Sequence, residues 1–162
     1  MTSLPGTIHS MTTLTRSVQI LVNANLQTAF DYVSDLAKHP EWSDGELKIE
    51  EISSEPIQVG KEYISKGEVP LFQKNRPNKL KMTNYQSPHT FSFVANDPSF
   101  GNVFHTFTFT QKENGILIAR TMKMNLNPFL ALAFTYIHYP LIGKAAIMRT
   151  MLGLKRKLES KG

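Results

Sequence analysis

Residues 18–43 read VQILVNANLQTAFDYVSDLAKHPEWS, and the change of period inside this stretch sets the fold. Up to residue 22 the pattern has a period of two. Leu14, Arg16, Val18, Ile20 and Val22 share one face, opposite Thr15, Ser17, Gln19 and Leu21, which predicts a strand over 13–22. Asn23 then offers a side-chain oxygen as a helix N-cap. Leu26, Ala29, Phe30 and Val33 recur at helical spacing, so a short amphipathic helix is expected over about 25–34. Asp35 is placed to cap a second brief helix, and Pro40 restricts the turn before it. One strand followed by two short helices is an unusual opening.

Downstream, six more strands are expected at 46–54, 61–69, 79–86, 90–96, 102–111 and 115–126, separated by Pro, Gly and Asn turns. Such short connections imply antiparallel hairpins, and Asn114-Gly115 is the sharpest hairpin signal. The last two strands alternate cleanly. Val103, His105, Phe107 and Phe109 share a face, as do Ile116, Ile118, Arg120, Met122 and Met124, which fits a sheet with one wet face. Asn127-Pro128 then opens a long helix, with Asn127 as N-cap and Pro128 at the first helical position. Its expected core stripe is Leu130, Phe134, Ile137, Leu141, Ala145, Met148 and Leu152. Pro140 removes a backbone bond inside that helix and predicts a kink.

The chain has 162 residues, 41% hydrophobic and 19% charged, which suits one globular domain. Residues 1–12 read as a flexible tail and 13–162 as a single domain; Met11 is an alternative start. No cysteine is present, which excludes disulfides and thiolate chemistry. The five histidines show no metal-ligand spacing, and there is no Walker loop, GxGxxG or GxSxG, so no cofactor or metal is expected. The net charge of +5 gathers late, at Lys155, Arg156, Lys157 and Lys161. A basic end suits an anionic surface, or simply complements a helix dipole. Basic residues do not interleave with aromatics, so nucleic acid is not an expected partner. No secretory leader is expected in MTSLPGTIHS. The apolar residues 128–147 are interrupted by Thr135, His138, Pro140 and Lys144, so no membrane span is expected. These readings point to a cytoplasmic monomer or homodimer.

The segment 18–43, with its Phe-Asp-Tyr-Val core and His-Pro-Glu-Trp corner, resembles the opening of START-like (SRPBCC, polyketide cyclase/dehydrase-like) proteins. MTNYQSPHTFSF at 82–93 is similar to their middle hairpin, and the element order matches over nearly the whole chain. The resemblance implies an α+β helix-grip fold, in which a curved antiparallel sheet of about seven strands wraps a long C-terminal helix around an apolar cavity. The cavity lining is expected from Trp42, Tyr63, Phe91, Phe93, His105, Phe107, Arg120, Met122, Met124, Phe134, Ile137, His138 and Leu141. The corner motif carries no catalytic group in this family.

Two of these residues carry chemistry. His105 sits mid-strand among phenylalanines, as a ligand contact or acid/base group, or as a core histidine bonded to a neighbour. Arg120 either grips a ligand carboxylate, phosphate or enolate or pairs with an inward acid; a one-residue slip would turn it outward. Trp42 packs the short helices onto the sheet or lines an entrance. Tyr136, His138 and Tyr139 precede Pro140, where a kink would make the first part of the helix a movable lid. The expected function is binding or carriage of a hydrophobic small molecule (a lipid, quinone or polyketide-like compound). The alternatives are a cyclase/dehydratase-type enzyme and a protein-interaction module such as a co-chaperone or ribosome-associated protein.

Overall fold

A computed structural model describes residues 11–67, 77–97 and 100–160. Most of the expected tail, the end of the second expected hairpin strand at Val69, and Lys161 lie outside these residues. Strand β1 (Thr12–Val22) leads into helix α1 (Leu26–Ser34) and a 3-10 helix (Leu36–Glu41). Six strands follow: β2 (Leu47–Glu51), β3 (Glu62–Gly67), β4 (Pro77–Gln86), β5 (Thr90–Asp97), β6 (Gly101–Lys112) and β7 (Gly115–Leu126). They form one curved antiparallel sheet in the order β1-β7-β6-β5-β4-β3-β2. The two short helices therefore carry the chain from one edge of the sheet to the other.

Local chemistry accounts for the joints. Asn25, not Asn23, caps α1: its Oδ1 accepts from the Thr28 amide at 3.1 Å. The Asn23 amide instead donates to Glu159 at 3.1 Å, tying the end of β1 to the end of the chain's last helix. Asp35 caps the 3-10 helix through the Ala37 amide, as expected. The β6–β7 turn needs glycine. Gly115 has φ 134°, and a Cβ there would lie 2.3 Å from the Val22 carbonyl oxygen. A register irregularity between Met82 and Asn84 marks a bulge in β4, the kind of defect that bends a strand.

The C-terminal helix departs from expectation. It begins at the Asn127 cap as α2 (Pro128–Ala133), widens into a π-helical segment (Phe134–Gly143), and returns to α-helix as α3 (Lys144–Glu159). Pro140 lies inside the π segment. Wider turns give its ring room where an α-helix would clash with the carbonyl four residues back. They also change the phase of the face. Of the expected stripe, Phe134 is buried, but Leu130, Ile137, Leu141 and Leu152 are exposed. Ala131, Phe134, Met151, Leu154 and Leu158 form the buried face instead. α3 packs tightly: a Cβ on Gly153 would lie 2.4 Å from the Trp42 carbonyl oxygen. By length and composition this helix also falls within the range of a membrane span, despite its polar interruptions.

Candidate functional site

The register of β5, β6 and β7 places the candidate residues in rows. Val103 pairs with Met124, His105 with Met122, and Phe107 with Arg120, while Phe93 faces His105 and Phe91 faces Phe107. All lie on the inner face, because successive inward positions are two residues apart. The 3-10 helix lays His39 and Trp42 over this surface. Their rings are 4.4 Å apart, and His39 stands 6.0 Å from both Phe93 and Phe107. Phe91 and Phe107 stack at 4.9 Å, and Phe93 stacks on His105 at 4.7 Å.

Arg120 is the singular member of this cluster. Its guanidinium lies 5.5 Å from the centre of the Phe107 ring. Its hydrogen-bond partner among the described residues is His105 Nδ1, 3.4 Å from Nη2. Nε is buried and unpartnered, and none of the described acids reaches the side chain. A guanidinium only donates, so His105 Nδ1 accepts, and a neutral His105 carries its proton on Nε2. Although Arg120 pairs with Phe107 in register, it reaches the neighbouring row, so the side chain leans toward Met122.

Electrostatics fixes the charge states. Burial, together with the charge of Arg120, holds His105 well below the usual imidazole range. Burial also lowers His39 to about 3, although its hydrogen bond to the Val33 carbonyl, 3.0 Å from Nε2, works the other way. Burial lowers Arg120 to about 10. At neutral pH the cluster thus holds one cation and two neutral imidazoles.

Further buried polar atoms lack partners: Trp42 Nε1 and the Tyr63 hydroxyl. Burial pushes the Tyr63 phenol above its usual range. Trp42 is 3% exposed and serves as packing between the 3-10 helix, α3 and Phe107. Met122 and Met124 are both buried, but only Met124 joins the continuous apolar core.

The remaining candidates gather elsewhere. Phe134, Ile137, His138 and Leu141 line an apolar cleft of about 220 Å³ with Phe100, Leu130, Ala133 and Ile142. Phe100 meets Phe134 at 5.9 Å and His138 at 6.3 Å. It lies just before β6, at the end of the strand from which the rows Val103/Met124 and His105/Met122 run inward. Tyr139 is held on the other side by Arg16, 5.0 Å from its ring centre. The expected set thus falls into an inner aromatic cluster and an outer cleft. Sequence reasoning missed His39 and Phe100. His39 carries no periodic signal, because a brief 3-10 helix rather than a strand or α-helix positions it. Phe100 lies in a connection, where burial has no period.

No family model matches the sequence, and neither does any curated protein. Solved structures do resemble the fold. Norcoclaurine synthase from Thalictrum flavum, in complex with dopamine and hydroxybenzaldehyde, is similar over all of this chain and 96% of its own, at 17% identity and a TM-score of 0.72. The di-domain ARO/CYC proteins BexL, of the BE-7585A biosynthetic pathway, and StfQ, of the steffimycin pathway, give TM-scores of 0.71 and 0.70 at 12% and 11% identity. The chain covers 50% and 51% of their respective lengths, while 91% and 92% of it is matched. At these identities the likeness is one of fold alone: the chain has a helix-grip fold.

Proposed function

We propose that the chain binds an apolar small molecule bearing a carboxylate or a polarised carbonyl oxygen. Arg120 and His105 are the polar anchor, and Met122, Met124 and Phe93 form the apolar wall. The observation that carries this reading is Arg120: a partly buried guanidinium whose Nε is buried and unpartnered and which no carboxylate among the described residues reaches. A buried donor left unmade costs about 1–3 kcal/mol, and more when charged. A ligand oxygen pair would satisfy Nε and a terminal nitrogen together, the bidentate geometry that guanidinium suits. The cleft beside Phe100 and Phe134 supplies the approach, and the methionine rows supply an adaptable surface from there to the anchor. The complexes formed by the norcoclaurine synthase of similar fold are in keeping with small-molecule binding.

Carriage or binding is favoured over cyclase-type catalysis. A general base works best with a pKa near the operating pH. His39 and His105 both lie far below it, so they are good hydrogen-bonding groups and weak bases at neutral pH. Calorimetric titration with 2-naphthoate and with its methyl ester tests the reading. The carboxylate should bind about tenfold tighter or better, the worth of one charge-assisted bond. In Arg120→Met that preference should vanish. Equal affinity for acid and ester in the wild type would contradict the anchor.

A further inference from the structure

The outer face of the C-terminal helix is apolar and uncovered. Phe129, Tyr136 and Leu141 are 78%, 72% and 73% exposed, and Leu132 and Ile137 are about as open. Only 11% of the most apolar window of this helix is buried, although its composition is that of a membrane-spanning segment. Its other face holds Phe134, Met151, Leu154 and Leu158 in the core. The helix is thus fastened along the sheet, with one side free to meet an apolar medium. Contiguous exposed apolar surface of this kind marks an interaction site.

Charge says what the medium is. Between Glu113 and Glu159 the chain has no acidic residue, while nine of its thirteen acids fall between Asp31 and Glu62. Lys144, directly after the π segment, is exposed and pairs with no carboxylate among the described residues. α2 packs on β1 and β7, at one edge of the sheet, whereas Glu50 and Glu51 lie on β2 at the opposite edge. Large aromatic and aliphatic side chains followed by Lys144, on a stretch of chain with no acid of its own, match the chemistry of an interfacial helix. Such a lysine is attracted to an anionic leaflet.

We propose that the outer face of Pro128–Gly143 docks on an anionic phospholipid bilayer, lying in its interface rather than spanning it. This surface is distinct from the Arg120 anchor and does not depend on it. It would set the cleft lined by Phe100, Phe134 and Leu141 against the acyl chains.

Vesicle flotation of the full chain tests the proposal. The vesicles are phosphatidylcholine alone, or phosphatidylcholine with about 30% phosphatidylserine. The wild type should float with the anionic vesicles, less with neutral ones, and less again as salt is raised. A Leu132→Gln/Leu141→Gln variant, altered only at exposed positions and checked for an unchanged melting transition, should bind at least about tenfold more weakly. Lys144→Glu should weaken binding to anionic vesicles alone. Arg120→Met should float as the wild type does, which separates this surface from the anchor. Flotation with neither vesicle, or full binding by the double variant, would overturn the proposal. So would a wild-type dimer that the double variant dissolves and that ignores both vesicles, since the face would then be a contact between copies.

Discussion

The inner cluster and the outer helix face break the usual rule of burial in opposite ways. Inside, Arg120 Nε, Trp42 Nε1 and the Tyr63 hydroxyl are buried without partners. Outside, Phe129, Tyr136 and Leu141 are left in solvent. Each arrangement costs stability relative to a simple swap of polar and apolar groups. The inner site is rigid, with stacked rings around one cation; the outer is a row of side chains on a helix whose turns have widened. The contrast teaches that packing and exposure act separately here: truncating the buried inner rings should disturb folding, and outer substitutions should leave it alone.

Phe107→Ala gives the largest expected effect. Phe107 is fully buried and touches Phe91, Trp42, His39 and Arg120. Its loss should cost about 3–5 kcal/mol in denaturant unfolding. A loss below about 1 kcal/mol would mean that the cluster is already loosely packed. Gly153→Ala comes next, since its added methyl meets the Trp42 backbone rather than a flexible side chain; about 1–3 kcal/mol of destabilisation is expected.

Acidification should sharpen the contrast. His39, at about 3, and His105 are both held below 6.5 in the fold. Their stabilisation is therefore complete above pH 6.5 and is lost as pH falls, because the unfolded chain takes up protons that the fold refuses. Each contributes a slope of up to about 1.4 kcal/mol per pH unit. Unfolding measured from pH 6 to 5 should show it, and His39→Gln should remove about half. A flat profile would place both imidazoles in water. Arg120→Met should be neutral or stabilising by about 1 kcal/mol while removing preference for the carboxylate probe. The smallest effect belongs outside: Leu141→Ser should change stability by no more than about 0.5 kcal/mol.

What the chain discloses follows from where periodicity survives. In β6 and β7 the alternation is unbroken, so the residues alone group His105 with Phe107 and Arg120 with Met122, but which face turns inward hangs on a register that only the sheet itself supplies. Asp35 and Asn127 were legible as caps because their oxygens act locally. Beyond Phe134 the expected helix stripe meets the core only at Met148 among the described residues. π turns take more residues each, so Ile137 and Leu141, aligned on an α-helical wheel, swing outward. The depth of His39 depends on how the corner docks on β5 and β6, a tertiary fact with no local signature.

Native mass spectrometry of the purified wild type beside Arg120→Met is the most direct test of the central claim. The wild type should carry a small organic molecule that denaturation releases, and the variant should be bare at its own mass. A bare wild type, or a variant that retains the same molecule at the same occupancy, would contradict Arg120 as the anchor.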